Sequence, residues 1–230
     1  MSGARETLLR EGFLVCPAFV EESTRVRLEQ EVDALIQAST SPTRLFGVVR
    51  DANGYVTVMN NVDKHSDYLY DIARSPEWVE VAETLLGKPA QALHVEYFAK
   101  PPGVVRPTPP HQDHEFYVDH FDDEMAITFW IALDDIIEQS GALHYRWPAD
   151  LQLLPHVPSQ APDFDKELAP ELIAADSGWR VAEVPRGGCV VHHSFVVHAA
   201  GSNRTQHARR AMAFNYRGSP WRAHLRTLAT

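Results

Sequence analysis

The sequence predicts a mainly β fold with peripheral helices, its strands forming an antiparallel sheet that closes into a sandwich or barrel. Helical patterns recur in the first 86 residues, and from Gln91 onward short β-rich runs alternate with turn residues. The length, 230 residues, fits one sandwich or barrel domain over 1–230.

Residues 4 to 10 read as a short helix leading into a strand, Gly12-Phe13-Leu14-Val15-Cys16, which Pro17 ends. From Glu21 to Ala38, the apolar residues Val26, Leu28, Val32, Leu35 and Ile36 recur at roughly helical spacing, so their stripe faces a core. Asn53-Gly54 between Val48-Val49 and Val56-Thr57-Val58 predicts a hairpin, because Asn-Gly tolerates the positive φ angles of a tight turn. A helical stretch from Asp67 to Leu86 is interrupted at Ser75-Pro76 and stopped by Gly87 and Pro89. Ala92 to Ala99 is a strand on which His94, Glu96 and Phe98 share one face. Further strands are expected at Ile127–Leu133, Ala142–Trp147, Trp179–Pro185, Cys189–His193, Phe195–His198 and Arg209–Arg217. The stretch 148–178 holds Pro148, Pro155, Pro158, Pro162 and Pro170 among many acidic residues, and reads either as disordered surface or as a lid over a site.

A formal charge of −10 without a basic run argues against nucleic acid or an anionic membrane as partner. Cys16 and Cys189 lie far apart and offer neither a zinc spacing nor a disulfide framework, which fits a reducing cytoplasm. The first residues lack a signal pattern, and no apolar run is long enough to span a bilayer. A soluble cytoplasmic protein acting on a small molecule is expected.

His-x-Asp occurs three times among 12 histidines, where about one such triplet is expected by chance. In His65-Ser66-Asp67, Ser66 or Asp67 reads as a helix N-cap, and His120-Phe121-Asp122 runs into an acidic turn. His111-Gln112-Asp113 differs: the stiff pair Pro109-Pro110 precedes it and a β-rich run follows. In an extended strand His111 and Asp113 point to one face and can reach one ion, with Gln112 turned away. A distant histidine would complete two imidazoles and one carboxylate, leaving three positions open, as in non-haem Fe(II) oxygenases. His192, His193 and His198 compete for that place.

Lys100-Pro101-Pro102-Gly103, His111-Gln112-Asp113, Trp130-Ile131-Ala132-Leu133-Asp134, Ser140-Gly141-Ala142-Leu143, and His198 through Asn203 with Arg209 resemble the phytanoyl-CoA dioxygenase family in order and spacing. The resemblance implies a double-stranded β-helix, the cupin-like jelly roll, with helices packed outside. It implies Fe(II) held by His111, Asp113 and His198, with 2-oxoglutarate and O₂ as co-substrates at the open positions. His198 is favoured because it stands eleven residues before Arg209, whose family counterpart binds the distal carboxylate of 2-oxoglutarate. A guanidinium fork suits that carboxylate, and without an anion a buried arginine would be costly. Trp130 resembles a position that borders the co-substrate. His192 and His193 then read as core or supporting residues.

The implied reaction is hydroxylation, or another oxidation, of an unactivated C–H bond in a small metabolite such as a natural-product intermediate, with release of succinate and CO₂. Related halogenases replace the carboxylate with a small residue, so Asp113 argues against halogenation. Two departures stand out: Arg146-Trp147-Pro148-Ala149-Asp150 replaces a Pro-Gly-Ser-His-like stretch, and Ala200 stands where serine is common. His94, Glu96, Phe98, Phe116 and Tyr117 read as substrate-binding residues. Glu96 needs a donor if buried, which could be a substrate amine or hydroxyl or a structural cation such as Arg217. A cupin-like metal enzyme without 2-oxoglutarate leaves Arg209 unexplained, and a non-catalytic jelly-roll binding protein leaves the three ligands unexplained.

Overall fold

The structure, a computed structural model, describes residues 2–40, 47–103, 106–116, 124–161, 164–173 and 178–218. In chain order its elements are α1 (Ser2–Glu11), β1 (Phe13–Cys16), α2 (Glu22–Ala38), β2 (Val48–Arg50), β3 (Val56–Met59), α3 (Asp67–Ala73) and α4 (Pro76–Leu86). There follow β4 (Ala90–Lys100), β5 (Thr108–His111), β6 (Ala126–Ala132), β7 (Leu143–Trp147), β8 (His156–Pro158), β9 (Lys166–Leu168), β10 (Gly178–Ala182), β11 (Cys189–His193), β12 (His198–Ala200) and β13 (Arg209–Gly218). Among the described residues no helix is long and apolar enough to cross a membrane.

Seven antiparallel strands form one sheet in the order β1-β11-β6-β13-β4-β3-β2, and four form another in the order β10-β7-β12-β5. Trp130, Val190 and Ala213 of the large sheet pack against Leu143, Tyr145 and Ala200 of the small one, giving the jelly roll its inner core. The helices cover the large sheet's other face, where Leu28, Leu69, Trp78 and Leu85 meet Tyr97, Phe129 and Phe214. Trp78 sits at the centre of that layer, its ring 4.6 Å from Phe214. Strand β6 is therefore buried along its whole length, which is why its sequence is a nearly continuous apolar run instead of an alternation. Its one polar interior residue, Thr128, faces inward with Trp130.

Local chemistry sets the helix limits. Ser66 caps α3 by accepting the Leu69 N–H at 3.1 Å, Pro76 opens α4, and Gly87 at φ +72° ends it. The hairpin at 48–59 forms, but not as a tight Asn-Gly turn. Gly54 has positive φ and Asn53 does not, and the Asp51 carboxylate shapes a longer loop by accepting the N–H groups of Asn53 and Tyr55, each at 2.9 Å. The strand expected at Phe195–His198 also differs. Ser194–Val197 carries the chain from the large sheet to the small one, and pairing begins at His198 and runs through Ala199 and Ala200.

Candidate active site

His111 ends β5, whereas Asp113 opens a 3-10 turn, so the two are not on one strand as expected. They converge because the turn folds Asp113 back toward His198, which pairs with His111 across β5 and β12. The ligating atoms of His111, Asp113 and His198 lie within 4.8 Å of one another, the grouping of this kind among the described residues. Asp113 Oδ1 stands 3.6 Å from His111 Nε2 and 3.5 Å from His198 Nε2. These separations are too long for good hydrogen bonds and short enough for a shared ion.

The tautomers follow from the surroundings. His111 Nδ1 lies 2.8 Å from the Pro109 carbonyl, and His198 Nδ1 lies 3.2 Å from the Val196 carbonyl. A carbonyl only accepts, so each Nδ1 bears a hydrogen, and in the neutral ring each Nε2 is left with a lone pair on the side of Asp113. Burial, with the neighbouring His111 adding to it, pushes the His198 pKa down to about 3. Burial alone would raise Asp113, but the imidazoles around it, His198 first and then His111 and His192, outweigh it and hold the carboxyl well below the usual carboxylate range. A neutral His198 beside an ionised Asp113 is the protonation state that divalent metal binding requires. The donor set therefore fits Fe(II).

At one end of the same cavity is Arg209, 3% exposed and opposite Lys100 on β4. Its Nη2 donates to the Gly141 carbonyl at 3.0 Å, and its Nε has no hydrogen-bond partner among the described residues. Burial lowers its pKa to about 10, so it stays cationic. Trp130 lies beneath it, with Cζ 5.1 Å from the ring centroid. Lys100 donates to the carbonyls of Gly201 at 2.6 Å and Arg106 at 3.2 Å. Burial, then Arg209 and Arg106, push its pKa down to about 7. Gly141 makes this corner possible: its φ is +89°, and a Cβ there would meet the Gly201 carbonyl at 2.6 Å.

Away from the cations, Glu96, Phe98 and Asn215 line the cavity. Asn215 Nδ2 donates to Glu96 Oε2 at 3.3 Å, and His94 Nε2 is 3.4 Å from the same oxygen. Burial disfavours the charged form of His94, but Glu96 outweighs it and the His94 pKa is raised. His94 thus meets the cavity through Glu96. Phe116 stands at the rim, 41% exposed, with its ring centroid 5.9 Å from that of His111. Tyr117 lies outside the described residues.

Within 148–178, β8 and β9 pair into a ribbon, and Ala161 and Phe164 line the cavity. The Phe164 ring centroid is 4.7 Å from that of His111. Gln112, fully buried, ties this segment down: Nε2 donates to the carbonyls of Gln152 and Phe195, and Oε1 accepts the Leu154 N–H at 2.8 Å. Reading from sequence missed a role for Lys100, Thr128, Asn215 and Phe164 in this cavity. Thr128 carried a signal, a polar residue two before Trp130 in an apolar run; Phe164 carried none.

The phytanoyl-CoA dioxygenase (PhyH) family profile matches residues 8–211. Peroxisomal phytanoyl-CoA dioxygenase of Rattus norvegicus is 24% identical over 234 residues, covering 90% of this chain and 65% of that protein. The chain thus spans a little under two thirds of the length of the curated relatives it matches. EvdO2 from Micromonospora carbonacea var. aurantiaca, complexed with 2-oxoglutarate, is similar with a TM-score of 0.71 at 23% identity, covering 94% of this chain and 89% of that one. The epimerase SnoN in complex with Fe3+, alpha ketoglutarate and nogalamycin RO is similar with a TM-score of 0.71 at 22% identity, covering 95% and 85%.

Replacing His111, Asp113 or His198 by alanine is expected to lower Co(II) affinity by more than about 100-fold, beyond the usual effect of a residue that only supports a ligand. Calorimetric titration checks this, with His193→Ala expected to match the parent. Retained affinity in His198→Ala with loss in His193→Ala would reassign the distal ligand.

Proposed function

We propose that this chain, which belongs to the phytanoyl-CoA dioxygenase family, is an Fe(II)- and 2-oxoglutarate-dependent dioxygenase that oxidises a C–H bond of a small metabolite. The observation that carries this reading is one cavity holding both the cluster of His111, Asp113 and His198 and a buried arginine with an unbonded Nε. A metal enzyme without 2-oxoglutarate would need only the first.

In this reading His111, Asp113 and His198 would hold Fe(II). Fe(II) bound there supplies O₂ activation coupled to oxidative decarboxylation of 2-oxoglutarate to succinate and CO₂. Arg209 receives the distal carboxylate of the co-substrate by its fork, and Trp130 lies against the guanidinium. Lys100, held between charged and neutral near pH 7, is drawn toward its cationic form by an anion beside it. Phe164 and Ala161, as part of a lid over 148–178, exclude water from the metal side. Excluding water strengthens each of these charge interactions.

The substrate occupies the end lined by Glu96 and Phe98. A metabolite with an amine or hydroxyl to meet Glu96 and an apolar body against Phe98 and Phe164 fits this lining. The nogalamycin compound bound by SnoN supports a natural-product intermediate as the class, with hydroxylation as the simplest outcome.

Arg209→Ala is expected to weaken 2-oxoglutarate binding by about 2–5 kcal/mol, the cost of removing one partner of a buried charge pair, with Mn(II) affinity unchanged. Calorimetry on the Mn(II) protein measures both. Unchanged 2-oxoglutarate affinity, or an equal loss in Arg210→Ala, whose guanidinium is engaged by Asp134 at 2.8 Å, would move the assignment elsewhere. With a substrate in hand, Glu96→Gln should raise its KM or uncouple succinate formation from product while 2-oxoglutarate affinity holds. Coupled kinetics equal to the parent's would remove Glu96 from the substrate site.

A further inference from the structure

Two buried polar side chains near the site have no part in the reading above. His192 on β11 and Tyr145 on β7 belong to different sheets, and they are 2% and 0% exposed. His192 Nε2 is 3.0 Å from Asp113 Oδ2, and Tyr145 Oη is 2.9 Å from His192 Nδ1. The carboxylate oxygen only accepts, so His192 Nε2 bears the hydrogen and donates it. Nδ1 is then an acceptor, and the phenol donates to it. His192 therefore has the opposite tautomer to His111 and His198, and its Nε2 has no lone pair to give a metal. Phe13 stacks on Tyr145 with ring centroids 4.2 Å apart and planes 12° apart, which fixes the phenol. Thr128 Oγ1 also lies near Asp113 Oδ2, at 3.2 Å, but its single hydroxyl hydrogen has a shorter acceptor in Asn215 Oδ1 at 2.8 Å. The restraint on Oδ2 falls on His192.

We infer that Tyr145 and His192 form a positioning relay for Asp113, holding Oδ2 away from the metal so that Asp113 contributes Oδ1 alone. An unrestrained carboxylate can take a divalent ion through both oxygens. That second contact would occupy a position the chelating co-substrate needs. The relay thus protects 2-oxoglutarate binding as well as metal binding, and this inference rests on the dioxygenase reading of the site.

The test uses the 230-residue chain loaded with Co(II), comparing His192→Phe, His192→Gln and Tyr145→Phe with the parent. Co(II) affinity, the visible d–d spectrum and 2-oxoglutarate affinity are read for each. His192→Phe is expected to lose about 10- to 100-fold in Co(II) affinity, the range for residues that orient a ligand. It should also show an altered d–d spectrum and weaker 2-oxoglutarate binding. His192→Gln, whose amide can still donate to Oδ2, should keep most of all three. Tyr145→Phe, which removes one oxygen and keeps the ring stacked on Phe13, should fall between them and remains informative where His192→Phe does not fold. Lower thermal stability in His192→Phe and Tyr145→Phe with parental Co(II) and 2-oxoglutarate affinities would reduce the pair to core packing and overturn the inference. A parent that binds Co(II) but not 2-oxoglutarate would instead overturn the dioxygenase reading, and the claim about the protected position with it.

Discussion

One negative charge, that of Asp113, sets the terms for the rest of the site. It is surrounded by the imidazoles of His111, His192 and His198 in a place where burial works against any charge. A carboxylate survives there because His192 donates a hydrogen to it, while the Nε2 atoms of His111 and His198 stand far enough off to leave room for a cation between. The backbone enforces the difference. The Pro109 and Val196 carbonyls claim the Nδ1 hydrogens of the two proposed ligands, whereas Tyr145 supplies His192 with one. None of this works unless the two sheets close, since the participants come from β5 and its following turn, β7, β11 and β12.

The inner face of the large sheet shows how the fold serves that charge. Strand neighbours place His192 beside Thr128 and Thr128 beside Asn215, and Asn215 reaches Glu96 on the next strand. A polar row therefore crosses four strands at the level of Asp113. Farther along the same strands, Trp130 and Ala213 are apolar, and then Arg209 and Lys100 face each other as a cationic corner. The outer face is largely apolar under the helices, so the sheet is held rigidly while its inner face is sorted into acid-facing, apolar and cationic zones. Rigid support of this kind keeps a coordination geometry within the tolerance that catalysis needs.

Much of the fold was legible in the sequence where periodicity and punctuation agreed. Ser66, Pro76 and Gly87 marked helix limits through capping and φ constraints that act locally, and those limits appear. The chain was less legible where tertiary contacts override local pattern. Phe195-Val196-Val197 is as apolar as any strand, yet it crosses between sheets because Gln112 and the inner core bury it. His111-Gln112-Asp113 was expected to converge by strand alternation, and it converges through a 3-10 turn. Lys100 stood inside a recognisable motif without declaring its role, since only the register opposite Arg209 makes it part of the cationic corner. Phe164 sits in a proline-rich acidic stretch, and nothing in its neighbours hints that its ring lies against His111.

The central claim is that the three ligands and Arg209 form one site for Fe(II) and 2-oxoglutarate together. Anaerobic titration of the metal-free protein with Fe(II) and then 2-oxoglutarate, followed by visible absorbance, tests it most directly. A weak charge-transfer band should rise with 2-oxoglutarate to saturation at one equivalent per chain and be absent with Fe(II) alone. Tight Fe(II) binding without any band on adding 2-oxoglutarate would contradict the account.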